Sequence, residues 1–161
     1  MNNKISGSDI RGYLNTHLEG VFETMLSLKA SANAGLTDAV PAGERITGCV
    51  GLAGETVTGS VYLHISAPFA EQATITMLGL PPEEPPGPAE VNDVVGELTN
   101  TLSGGLKSWL CDAEAVCKLT PPTVIRGNSF AVSPKAGVEL VQIAFEAGLN
   151  HGLIEVHVKL S

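Results

Sequence analysis

The sequence predicts an α+β fold, a mostly antiparallel β-sheet with helices packed on one face, and three observations lead there. Apolar residues recur at three-to-four spacing near 8–30, 67–79 and 91–110, the period of an amphipathic helix. They alternate at a period of two over 45–66 and 152–160, the period of a strand. The two kinds of segment are grouped as helix, hairpin, two helices and a run of strands, an order that favours an antiparallel sheet with segregated helices over βαβ units.

The first helix is marked by Ile10, Leu14, Leu18, Val21, Phe22, Met25 and Leu28, with Ser8 and Asp9 as candidate caps, and should end before Asn33 and Gly35. From Ile46 the pattern changes. Ile46, Gly48, Val50 and Leu52 share one face of a strand, and Val61, Leu63 and Ile65 share a face of the next, across a turn at Gly54-Glu55. Gly48, Gly51, Gly54 and Gly59 look like a phosphate loop at a glance, but no Gly-Lys-Ser/Thr follows and the alternation runs through them.

APFAEQATITMLG, residues 67–79, suits a short helix closed by Gly79. LPPEEPPGP, residues 80–88, holds five prolines in nine residues and can only be a stiff connector. A third helix covers 91–110. Strands are expected at 113–118 and around 124–132, separated by a Pro121-Pro122 turn. Runs at 137–147 and 152–160 close the chain around an AGLNHG hairpin loop. In the last run Ile154, Val156, Val158 and Leu160 alternate with Glu155, His157 and Lys159, as in a strand buried on one face only.

Composition supports one domain, 1–161. A chain of 161 residues buries about 70% of its extended surface. With 43% hydrophobic and 16% charged residues it should be globular, with an aliphatic core given only 4% aromatics. The formal charge of −8 repels phosphate backbones and anionic bilayers, so neither nucleic acid nor a membrane is expected as a partner. No apolar run approaches the ~20 residues of a membrane span, and the start MNNKISGSDIRGYL lacks the pattern of a signal peptide. A soluble, cytoplasmic protein is expected. Cys49, Cys111 and Cys117 form no C-x-x-C pair, so buried free thiols are expected rather than a disulfide framework or a zinc site. His151 and His157, about 20 Å apart along one strand, cannot share a metal ion, and none is expected.

The candidate site is the helix VNDVVGELTNTLSGGLKSWL, residues 91–110. On a wheel with Val91 at zero, Val94, Val95, Leu98, Leu102, Leu106 and Trp109 fall within about 60° of the origin, while Asp93, Glu97, Asn100, Gly104 and Lys107 fall at about 160° to 240°. Glu97 and Asn100 are therefore neighbours on the face turned from the core. Such a face is ordinarily only solvated. Asn and Gly are poor helix formers there, however, and an amide that cannot titrate can still hold a water or an oxyanion by hydrogen bonds. Gly104 would let another macromolecule come close. Tight packing of Gly104 and Gly105 against the first helix is an equally open explanation.

Those residues resemble the signature of the CheC/CheX/FliY group of chemotaxis phosphatases, acidic-x-x-x-Glu-x-x-Asn-x-x-x-Gly, met here by Asp93, Glu97, Asn100 and Gly104. VFETML at 21–26, GLAGETVTGSVYLHIS at 51–66, MLG at 77–79 and LTPPTVIRG at 119–127 are similar too. A single Glu-x-x-Asn helix is the pattern of the CheX branch; in the first helix Glu19 is followed at plus three by Phe22.

The resemblance implies a CheC/CheX-like fold and hydrolysis of the aspartyl phosphate on a CheY-like receiver. Asn100 would orient the attacking water and Glu97 would pair with the receiver's lysine. Asp93, Thr101, Gly104 and Lys107 would be partner contacts. No cofactor of the chain's own is implied, since Mg²⁺ belongs to the receiver. A homodimer is also implied, and the two long terminal strands could supply its edge. The rival expectation is a non-catalytic adaptor that binds receivers or sits in a flagellar switch. A small-ligand module using a cleft beside 81–88 has no positive support in the sequence.

Overall fold

The computed structural model describes residues 4–36, 41–128 and 130–161. The helices are α1 (Gly7–Leu26), α2 (Ala67–Leu78) and α3 (Pro88–Asp112). The strands are β1 (Ala30–Ala32), β2 (Glu44–Gly54), β3 (Val57–Ser66), β4 (Cys117–Leu119), β5 (Thr123–Asn128), β6 (Glu139–Ala147) and β7 (Asn150–Leu160). They form one seven-stranded antiparallel sheet in the order β1-β6-β7-β3-β2, with β4 and β5 pairing successive stretches of the outer edge of β2.

The α+β architecture is as the sequence predicts, and the corrections are local. Ser6 rather than Ser8 caps α1: its hydroxyl accepts from the Asp9 N–H, and the Asp9 carboxylate accepts from the Ser6 N–H in return. The helix stops at Leu26, short of the expected 30, because Ser27 turns left-handed at φ 52. That frees Ala30–Ala32 to pair with Phe145–Ala147 as β1, a strand too short to show any alternation. Residues 113–116 form the turn after α3 rather than the start of a strand, so β4 begins at Cys117. β5 ends at Asn128, and Ser129, inside the strand expected around 124–132, lies outside the described residues.

Core packing follows from register. Val61, Leu63 and Ile65 stand opposite Val156, Ile154 and Gly152 on one side of β3 and opposite Val50, Gly48 and Ile46 on the other. All of these share the sheet face on which the helices lie. Ile10, Leu14, Leu18 and Phe22 of α1 and Val95, Leu98, Leu102 and Leu106 of α3 are fully buried there, with Phe22 stacked on Phe69 at 6.2 Å and tilted against Phe145 at 5.0 Å.

Two expectations about the last strand are overturned. β7 is interior, paired with β3 and β6 at once, and cannot supply a dimer edge. On the outer side of β6, β1 pairs with Phe145–Ala147 alone, while the Asn33 N–H meets the Ala144 carbonyl and the Arg11 guanidinium the Gln142 carbonyl. Among the described residues β5 pairs only with β2, which leaves its other edge open. Nor is β7 buried on one face only, because Glu155 and His157 are each 6% exposed. Residues 130–138 lie against the second face of the sheet, and alternation within a strand carries no information about what covers its polar side. Of the thiols, Cys117 is buried as expected, whereas Cys49 and Cys111 are half-buried.

Candidate functional site

α3 starts where the proline-rich connector ends. Pro88 at its first position needs no hydrogen-bond partner for the N–H it lacks, and the Glu90 carboxylate accepts from the Gly87 N–H at 3.1 Å. The helix then runs for 25 residues. Its outward face presents the residues singled out in the sequence: Asp93 and Glu97 exposed, Asn100, Thr101, Gly104 and Lys107 half-buried. Glu97 and Asn100, three residues apart, are direct neighbours on the helix surface. The Thr101 hydroxyl donates to the Glu97 carbonyl at 2.9 Å. The structure separates the two glycines. Nothing lies within 4 Å of where a Gly104 side chain would begin, whereas a Gly105 side chain would collide with the His17 imidazole.

The inward face holds α3 rigidly, and part of that hold was not foreseen. Gly96, Thr99 and Ser103 are buried against the sheet and are not apolar. Thr99 and Ser103 hydroxyls donate to the carbonyls four residues back, Val95 and Thr99, at 2.7 Å each, so no buried hydroxyl is left unpaired. Thr99 sits directly over Gly48 of β2, where any side chain would meet its Cβ at 2.8 Å and the Val95 carbonyl at 3.2 Å. Glycine in the middle of a strand usually marks a close backbone approach; here the approach is that of α3.

Two further groups brace the same helix from β5 and the loop before it. Arg126 donates through Nε to Asn92 Oδ1 at 3.0 Å and through Nη2 to the Pro88 carbonyl at 3.3 Å, while its Nη1 lies 3.5 Å from Glu44 Oε1. Thr120 exchanges hydrogen bonds with the backbone of Gly51, at 2.8 and 3.0 Å, and so holds the Pro121-Pro122 turn in place. Pro122 packs over Gly96, one turn before Asn100. Arg126 lies within a stretch noted for its family resemblance, but no spacing rule assigns it to Asn92.

Chemically, the face offers a carboxylate acceptor beside an amide that both donates and accepts, with a bare patch one turn on. It can position a water or grip a cationic group. No helix among the described residues is long and apolar enough to cross a membrane.

Comparison with known proteins bears on the whole chain. A family model described as "Chemotaxis phosphatase CheX" matches residues 46–146, well over half of it. The crystal structure of chemotaxis protein CheX from Vibrio vulnificus is 23% identical, covers 96% of this chain and 99% of that one, and superposes with a TM-score of 0.80. A CheC-like chemotactic protein from Shewanella oneidensis MR-1 is 27% identical over 96% of this chain and 100% of that one, TM-score 0.74. A third similar chain is found in the CheX–CheY–BeF3–Mg²⁺ complex from Borrelia burgdorferi, 19% identical over 97% and 99%, TM-score 0.67. No curated protein sequence matches.

Proposed function

We propose that this chain, which belongs to the chemotaxis phosphatase CheX family, hydrolyses the aspartyl phosphate of a CheY-like receiver domain. The observation that carries the reading is the adjacency of Glu97 and Asn100 on the outward face of a helix whose other faces are pinned by Thr99, Arg126 and the apolar core. The relative from Borrelia burgdorferi is held in a complex with CheY, and a receiver of that kind is the partner assigned here.

In this mechanism the receiver contributes the phosphoaspartate, a lysine and Mg²⁺, which when bound neutralises charge on the phosphoryl oxygens. Asn100 enters beside the phosphoryl group. Its amide oxygen accepts a hydrogen bond from a water and its NH₂ donates to a phosphoryl oxygen, which sets the water in line with the bond to be broken. Water attacks phosphorus as the bond to the aspartyl oxygen breaks; the protons of the water end on the departing phosphate, and the receiver keeps a free carboxylate. Glu97 pairs with the receiver's lysine and so sets the depth of insertion. Asp93, Thr101 and Lys107 contact the rim, and Gly104 lets the receiver backbone approach. Positioning of this order lowers a barrier by several kcal/mol, and it requires a rigid helix more than an unusual side chain.

The test is phosphate release from a panel of phosphorylated receivers, with wild type beside Asn100→Ala and Glu97→Ala. Asn100→Ala should slow release by about 10²-fold or more yet leave docking to a BeF3-loaded receiver nearly unchanged. Glu97→Ala should weaken docking itself. Unchanged release in Asn100→Ala would remove the mechanism. Protection of the phosphoryl group by saturating wild-type protein would favour a non-catalytic adaptor.

A further inference from the structure

The sheet face turned away from the helices carries a chain of buried polar groups that the α3 site does not use. Thr47 Oγ1 lies 2.8 Å from His64 Nδ1, His64 Nε2 lies 3.3 Å from Glu155 Oε1, and Glu155 Oε2 lies 3.0 Å from His157 Nε2. All four residues are at most 6% exposed. Arg45, 4% exposed, lies close by, its guanidinium 3.9 Å from the Phe130 ring and bonded to the Phe130 carbonyl. A buried set of this kind contributes less stability than well-packed apolar side chains would. Its presence on a face remote from Glu97 and Asn100 therefore calls for another use.

At its end the chain opens into a cleft of about 490 Å³ between the sheet and the segment crossing from β5 to β6. The polar lining comes chiefly from Ser60 and Tyr62 of β3, His157 and Lys159 of β7, and Ser133 and Lys135 of the crossing segment. Among the described residues no carboxylate lines it, in a chain with 17 acidic residues against 9 lysines and arginines. A net-negative surface repels anions, and Lys135 and Lys159 are the charged side chains with which the cleft can meet one.

We propose that this cleft binds a small phosphate-bearing anion. The volume falls in the range of small-molecule sites, about 300 to 1,000 Å³. Lysine ammonium groups bind phosphate as point charges, and serine and tyrosine hydroxyls can donate to its oxygens. His157, held at Nε2 by the Glu155 carboxylate, is a positioned imidazole in the wall of the cleft. The proposal is independent of the phosphatase reading and would survive its failure.

The test is thermal unfolding and titration calorimetry of the full chain with inorganic phosphate and with glycerol 3-phosphate, beside Lys135→Glu and Lys159→Glu. Both lysines are exposed, so the variants should fold with unchanged melting temperature in the absence of anion. A saturable rise in melting temperature with either probe, and an affinity lowered at least about tenfold in each variant, is the expected result. The tighter probe shows whether free phosphate or an ester is preferred. No saturable effect of either probe up to about 10 mM, or an affinity in both variants equal to that of the wild type, overturns the proposal.

Discussion

The His17 imidazole lies across Gly105, with its Nε2 buried and without a hydrogen-bond partner in the structure. The contact belongs to a short aromatic ladder. His17 stacks on Tyr13 at 5.2 Å, and Tyr13 stacks on Trp109 at 5.3 Å, so two residues of α1 clasp one turn of α3. Gly105 is thus a packing glycine, and Gly104, beside it in sequence, faces open space.

The two glycines should therefore answer oppositely to alanine. Gly105→Ala drives a methyl group into the imidazole and should cost about 1 to 3 kcal/mol. Gly104→Ala gains helix propensity and should be neutral or stabilising by up to about 1 kcal/mol, while weakening receiver docking. Urea midpoints of the two variants, read beside receiver binding, decide this; equal destabilisation would contradict the assignment.

A second pair tests how α3 is seated. Gly48→Ala should destabilise by about 1 to 3 kcal/mol, since its methyl meets Thr99. Adding Thr99→Ala should recover part of the loss, giving a coupling of about 0.5 to 3 kcal/mol in a double-mutant cycle. Phosphate release should fall in Gly48→Ala as well, because a displacement near 1 Å can cost about 10²-fold. Strict additivity would mean that the helix does not rest on this contact.

Glu155 makes stability depend on acid. Burial pushes its carboxyl up, but hydrogen bonds and charge from His64 and His157 outweigh burial and hold it below the ordinary value. A carboxyl whose pKa is lower folded than unfolded, where it is about 4.3, stabilises the fold above that pH and loses the contribution as pH falls through the folded pKa. Urea unfolding of wild type and Glu155→Gln from pH 7 to pH 3 should show the two curves converging at the acid end. A constant difference across the range would count against the bridging role.

Assembly as a homodimer, expected from the family resemblance, has an available edge in β5, where Ile125 is 44% exposed. A charge on an edge strand opposes pairing. Light scattering should therefore report dimers for wild type and monomers for Ile125→Lys, and dimers for both would place the interface elsewhere.

Much of the site was legible because its information is local. The helical period alone puts Glu97 beside Asn100 and away from Val95, Leu98 and Leu102, whatever the rest of the chain does. The hairpin of β2 and β3 was readable for the same reason, its strands alternating on either side of a tight turn. What escaped were features with no local signature. Arg126 and Asn92 are 34 residues apart, and β1 has three residues and no pattern.

The sequence by itself determined the types of the longer elements, the outward pairing of Glu97 with Asn100 and the family likeness, since backbone periodicity and a spaced motif need no partner to be read. Only the tertiary structure decided that Gly105 packs while Gly104 stays open, that Gly48 seats Thr99, that β7 lies inside the sheet, and that Glu155 is buried between two histidines. Each of these depends on which surface a residue meets. That is settled by strand register and by the path of the chain from β5 to β6, which no single element encodes.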